Sequence, residues 1–127
     1  MANVAREYHT QQIHYLRKSM TYDGTLSVNV GTVPSGAIII PNASGAFVTT
    51  AFTADTTVQT LNIGYSDDAD EYASALVLTS AGQIELDVET DLLVPENRTI
   101  TATLTAGSAP TAGALEVIIA YIPDNDG

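Results

Sequence analysis

Side chains able to do chemistry are few in these 127 residues, and they gather in three places. Asp67, Asp68, Asp70 and Glu71 crowd into one short stretch, the density with which a single loop supplies carboxylate oxygens to a calcium ion. The run lacks the Asp-x-Asp-x-Asp-Gly spacing of a dedicated calcium loop, and a solvated, capped turn explains it as well. His9 and His14 stand five apart beside Tyr8 and Tyr15, a spacing that neither a helical turn nor one strand face would converge on a metal. Glu85, Asp87 and Glu89 line up on one strand face. A glycosidase needs two carboxylates facing each other across a cleft, whereas outward acids on a strand are usually its wet side.

The rest of the catalytic inventory is thin. There is no Cys for a thiolate, a disulfide or a zinc site, no Gly-x-Ser-x-Gly, no phosphate-cradling loop and no His beyond residue 14. The expectation is a non-catalytic protein with no cofactor and no metal site. Asn97-Arg98-Thr99 fits an Asn-glycosylation pattern, but Met1 to Glu7 lacks the apolar core of a secretory signal, so the match reads as chance. No stretch reaches the roughly 18 apolar residues of a membrane span.

The elements that would position these groups are strands. Residues 12–22 alternate so that His14, Leu16, Met20 and Tyr22 share a face with Lys18 intruding; a helical spacing of His9, Ile13, Leu16 and Met20 is the competing reading. The turn at Asp23-Gly24 favours a strand from about Ile13, closing a hairpin, with residues 1–11 as an exposed arm. Leu26, Val28 and Val30 alternate inward next, followed by Ala37 to Ile40, which Pro41 ends. Ala46–Phe52 and Val58–Tyr65 read as a hairpin around Asp55.

Residues 66–78 predict a short helix, capped by Ser66 or Asp67 with acids in its first turn. Ile84, Leu86 and Val88, then Ile100, Ala102 and Leu104, point inward from two further strands with one wet face each. The stretch Leu115 to Ile122 is apolar on both faces apart from Glu116, which places it centrally or beneath a neighbouring subunit. The sum is an all-β protein: one antiparallel β-sandwich, jelly-roll-like, of about eight strands. Residues 1–22 form the arm and first strand and 23–127 the body, one domain overall.

Charge adds a partner argument. Fifteen acids against four bases give a net charge of −11, which repels a phosphate backbone and argues against nucleic acid. Residues 1–20 carry about +2 and the remainder about −13, so the N-terminal segment is suited to an acidic surface, its own or a neighbour's.

Five segments in order carry a resemblance. They are Tyr15-Leu16-Arg17-Lys18-Ser19; Gly31-Thr32-Val33-Pro34-Ser35-Gly36-Ala37-Ile38; Val48-Thr49-Thr50-Ala51-Phe52-Thr53-Ala54; Leu61-Asn62-Ile63-Gly64; and Thr111-Ala112-Gly113 running to Tyr121-Ile122-Pro123. Their order is similar to the small head-accessory proteins of tailed bacteriophages, the capsid decoration or cement proteins. The resemblance implies a virion structural protein on the capsid exterior, assembled in the host cytoplasm, with the major capsid protein as partner. It also implies a homo-oligomer, a trimer by analogy, and offers no catalytic residues. Ile13, Tyr15 and Leu16, steered by Arg17 and Lys18, are the candidate interface, with Arg98 as the body's single basic residue. A carbohydrate-binding sandwich, such as a fibre module, is the alternative from another class; without Trp, stacking on a sugar would fall to tyrosines.

Overall fold

The computed structural model describes residues 13–53, 59–87, 92–105 and 111–123. The arm over 1–11, His9, the turn at Asp55, Val88 and Glu89 lie outside the described residues. Nine strands carry the fold: β1 (His14–Thr21), β2 (Ser27–Val33), β3 (Ile38–Ile39), β4 (Gly45–Thr53), β5 (Thr60–Tyr65), β6 (Asp68–Val77), β7 (Gly82–Glu85), β8 (Arg98–Thr105) and β9 (Ala112–Ile122). A 3-10 turn at Pro41–Ala43 separates β3 from β4.

The strands form two antiparallel sheets. One runs β1-β9-β4-β7, with the short β3 also paired to β9, and the other runs β2-β8-β5-β6. Position by position, the two orders match strands that are neighbours in the chain: β1 with β2, β9 with β8, β4 with β5 and β7 with β6. This is the wiring of a jelly roll, in which two Greek keys leave few exposed edges. It corrects two expected hairpins. Asp23-Gly24 turns a corner between sheets, and β4 and β5 sit in opposite sheets, because β9 and β8 take the ladder positions beside them.

Alternation builds the core. β8 sends Ile100, Ala102 and Leu104 inward, β5 sends Leu61 and Ile63, and β9 sends Leu115, Val117 and Ile119, all of them almost wholly buried. Each large aliphatic contributes about 1.5–3 kcal/mol by leaving water. β1 behaves as its pattern predicts: Met20 is buried, Leu16 packs against the core, and His14 stacks on Tyr121 with ring centroids 5.5 Å apart. Leu26 does not join this set. It precedes β2 at the corner and is 44% exposed, and of the trio Val30 is the one fully buried.

Residues 68–77 are strand β6, where a helix was expected. Pairing with β5 overrides the local helical preference, and a bulge hides the strand's period of two. Leu61 faces Leu76 and Ile63 faces Ala73, so Ser74 and Ala75 are squeezed against a single residue, Asn62. Ala75 takes a left-handed φ of 54°. The bulge is fastened from both sides: the Ala75 N–H donates to Asn62 Oδ1 at 2.7 Å, and the Ser74 N–H donates to Asp87 Oδ1 at 3.0 Å.

β9 is the hub of its sheet, as its two apolar faces suggest, with β1 along one side and β4 then β3 along the other. Between β4 and β3 the ladder has a gap, and Ser44 fills it. The fully buried Ser44 hydroxyl donates to the Ile40 carbonyl at 2.7 Å and accepts from the Ala120 N–H at 2.8 Å, while the Ile40 N–H donates to the Ala120 carbonyl at 2.9 Å.

Candidate functional site: the outer face of the five-stranded sheet

Pairing register decides which side chains share the outward side of this sheet. Leu115, Val117 and Ile119 face the core, so Ala114, Glu116, Ile118, Ala120 and Ile122 face out, and the residues opposite them do the same. Arg17 lies across from Ile118, Tyr15 from Ala120 and Phe47 from Glu116. At one end Ile38 pairs with both Ile122 and Leu93. Ile13 precedes β1 and continues its alternation.

The face is apolar to an unusual degree. Of the seven large hydrophobic residues exposed among those described, five belong to it: Ile13 (48%), Tyr15 (61%), Ile38 (49%), Phe47 (47%) and Leu93 (61%). Of the other two, Val77 is on β6 of the opposite sheet and Leu26 is at the corner before β2. A cleft of about 570 Å³ runs between Tyr15, Phe47, Gln83 and Ile118, floored by residues 42–46. The floor is tight by construction. Gly45 has a φ of 127°, and a side chain there would run into the Ile84 carbonyl oxygen of β7.

One ion pair crosses the face. Arg17 Nε donates to Glu116 Oε1 at 2.5 Å. That hydrogen bond and the guanidinium charge hold the Glu116 carboxyl below the usual carboxylate range, and the same bond raises Arg17.

The expected interface residues therefore divide. Ile13, Tyr15 and Arg17 share the outer face. Leu16 points the other way and packs near Gly31 of β2, and Lys18 follows it on the inward side yet stays exposed at the sandwich margin. Arg98 departs from expectation. It is 8% exposed, donates from Nη1 to the Tyr72 hydroxyl at 2.8 Å and lies 4.0 Å over the Tyr65 ring, which leaves little of it for a neighbour. β8 turns it inward on the same side as Ile100 and Ala102, and burial raises the pKa of its partner Tyr72. Register also adds Phe47, Ile118, Ile38 and Leu93 to the face. The two-sided apolar pattern of β9 was the signal for them, but only the pairing shows which strands lie beside it.

Asp68, Asp70 and Asp87 make hydrogen bonds within the framework. The Asp70 N–H donates to Asp68 Oδ1 at 3.4 Å, the Ser74 hydroxyl donates to Asp70 Oδ2 at 3.5 Å, and Asp87 holds the β6 bulge. The expected row of Glu85, Asp87 and Glu89 is not one strand face, because β7 ends at Glu85 and Asp87 turns toward β6. Among the described residues no three His, Cys, Asp or Glu side chains come together as a metal would need.

No protein-family model matches this chain, and no curated protein matches it. Among solved structures, a chain of the cyanophage Pam1 capsid asymmetric unit shares the fold, with a TM-score of 0.67 and 21% sequence identity over 91% of this chain and 87% of that one.

Proposed function

We propose that this protein is a non-catalytic virion component that decorates a phage capsid from outside, assembled in the host cytoplasm as a homo-oligomer that binds the major capsid protein. The observation that carries the reading is the shared jelly roll: nine-tenths of this chain and most of the other superpose on a protein found in a phage capsid unit. The ordered segments that resemble head-accessory proteins support it from the sequence side. So does the chemistry, since a Cys-free chain with two His and a broad apolar face is built for area contact. Many weak contacts on a shell are multiplied by its symmetry, so each need not be strong.

The test is co-sedimentation of the purified chain with capsids that lack it, followed by cryo-EM of the pellet. Saturable binding at symmetry-related positions is the expected result, and no binding to any assembled shell counts against the reading. The exposed rings of Tyr15 and Phe47 beside a cleft favour one second reading, a carbohydrate-binding module, since aromatic faces stack on sugars. Saturable glycan binding by the isolated chain, with no affinity for capsids, would select it.

A further inference from the structure

We infer that the outer face of the five-stranded sheet is where a second copy of this chain docks, face to face about a two-fold axis, with Tyr15, Phe47 and Ile118 near its centre. The contact rests on the homo-oligomer of the proposed function and specifies its surface and symmetry, and it needs no shell to form.

Three observations choose this occupant. The first is area. At about 200 Å² per large side chain, the exposed fractions of the five apolar residues leave on the order of 500 Å² of apolar surface. That is most of the roughly 800 Å² per partner that a standard interface buries, and it lies toward the upper end of about 300–600 Å², the range of a monomer's largest patch, which is often functional. The second is charge. The chain carries −11, but by register the described acids on this face are Glu85 and Glu116, and Glu116 is paired with Arg17. Two acidic molecules that meet here bring few of their described like charges together. The third is self-complementarity. The face holds a projecting ring, Tyr15, beside a cleft, and a cation beside an anion. A two-fold contact needs the same patch to supply both halves of each match, and this one does. Arg17 is 68% exposed, so at a two-fold contact it can exchange the Glu116 of its own copy for that of the other.

The experiment measures the solution mass of the full chain by light scattering and sedimentation across 1–100 µM, in the absence of capsids. The expected mass is twice 13.3 kDa. Tyr15→Glu with Phe47→Glu should return it to the monomer value with unchanged far-ultraviolet circular dichroism, and the milder Tyr15→Ser with Leu93→Ser should raise the dimer dissociation constant at least tenfold. Val77→Glu, on the opposite sheet, should stay dimeric. A monomeric wild type at 100 µM overturns the inference, as does a mass three times that of the chain, which the phage resemblance implies, or a double-Glu variant that remains dimeric. A monomeric wild type whose double-Glu variant no longer co-sediments with capsids assigns the face to the shell. Capsid binding is read separately, so failure of the dimer leaves the decoration reading standing or falling on its own measurement.

Discussion

Replacing Ser44 with Ala tests how the central strand is held. Ser44 is buried completely, and its hydroxyl is a bridge in the ladder, accepting from the Ala120 N–H and donating to the Ile40 carbonyl. Ser44→Ala keeps the volume nearly unchanged, so packing loss is small. What remains is a buried Ala120 N–H without its partner and an Ile40 carbonyl that keeps only the Ala43 N–H, at 3.3 Å. An orphaned buried group costs about 1–3 kcal/mol, which sets the expected loss near 2 kcal/mol. For a domain of this size, about 2 kcal/mol lowers Tm by roughly 6–10 °C. Urea unfolding is the assay: the midpoint should fall with the slope unchanged, since the surface exposed on unfolding is the same. Ser80→Ala, at an exposed position, serves as the control and should stay within about 0.5 kcal/mol. A Ser44→Ala loss no larger than that of the control would mean that the hydroxyl does not carry the gap between β4 and β3.

Two further outcomes follow from the charged groups. Tyr72→Phe strips a hydrogen bond from the buried Arg98 and should cost about 1.5–3 kcal/mol, and adding Arg98→Met should recover part of that by removing the stranded cation; a further loss on urea unfolding would refute this. Glu116 has a folded-state pKa below its unfolded value, so its pairing with Arg17 favours the fold fully above the ordinary carboxylate range and loses that effect as pH falls through the lowered value. Arg17→Ala should move the Glu116 midpoint upward in an NMR titration, and an unmoved midpoint would show that the ion pair is absent in solution.

Much of this architecture was legible in the sequence because alternation survives wherever a strand runs straight. β1, β8 and β9 show their inward sets plainly, and the apolar character of β9 on both faces places it centrally. β6 was illegible for a physical reason. Its bulge breaks the period of two, and the groups that stabilise the bulge, Asn62 and Asp87, are thirteen positions away on either side. Acids near Ser66 then imitate a helix cap. Corners were misread as hairpins because local pattern reports a turn but not which sheet receives the next strand. The candidate face was half legible: Ile13, Tyr15 and Arg17 belong to one segment, but Phe47, Ile118 and Leu93 join them through pairing alone. Arg98 drew attention as a lone cation, yet its inward side on β8 decides its role.

The position of β9 also sets an order of events during synthesis. Among the described strands β1 pairs with β9 alone, β3 and β4 pair with it too, and beyond Val48 β4 has no other strand beside it. Residues 14–53 therefore leave the ribosome well before their partner exists. Until residues 112–122 emerge, β1 and β4 present open backbone edges and unburied apolar rows, the state in which chains pair wrongly with one another. Contacts this distant in sequence also make closure of the sheet slow. Closure of the five-stranded sheet thus waits for β9, and in a cell making many copies at once, chaperone capacity and expression temperature should govern the yield of folded protein more than the stability of the finished sandwich does.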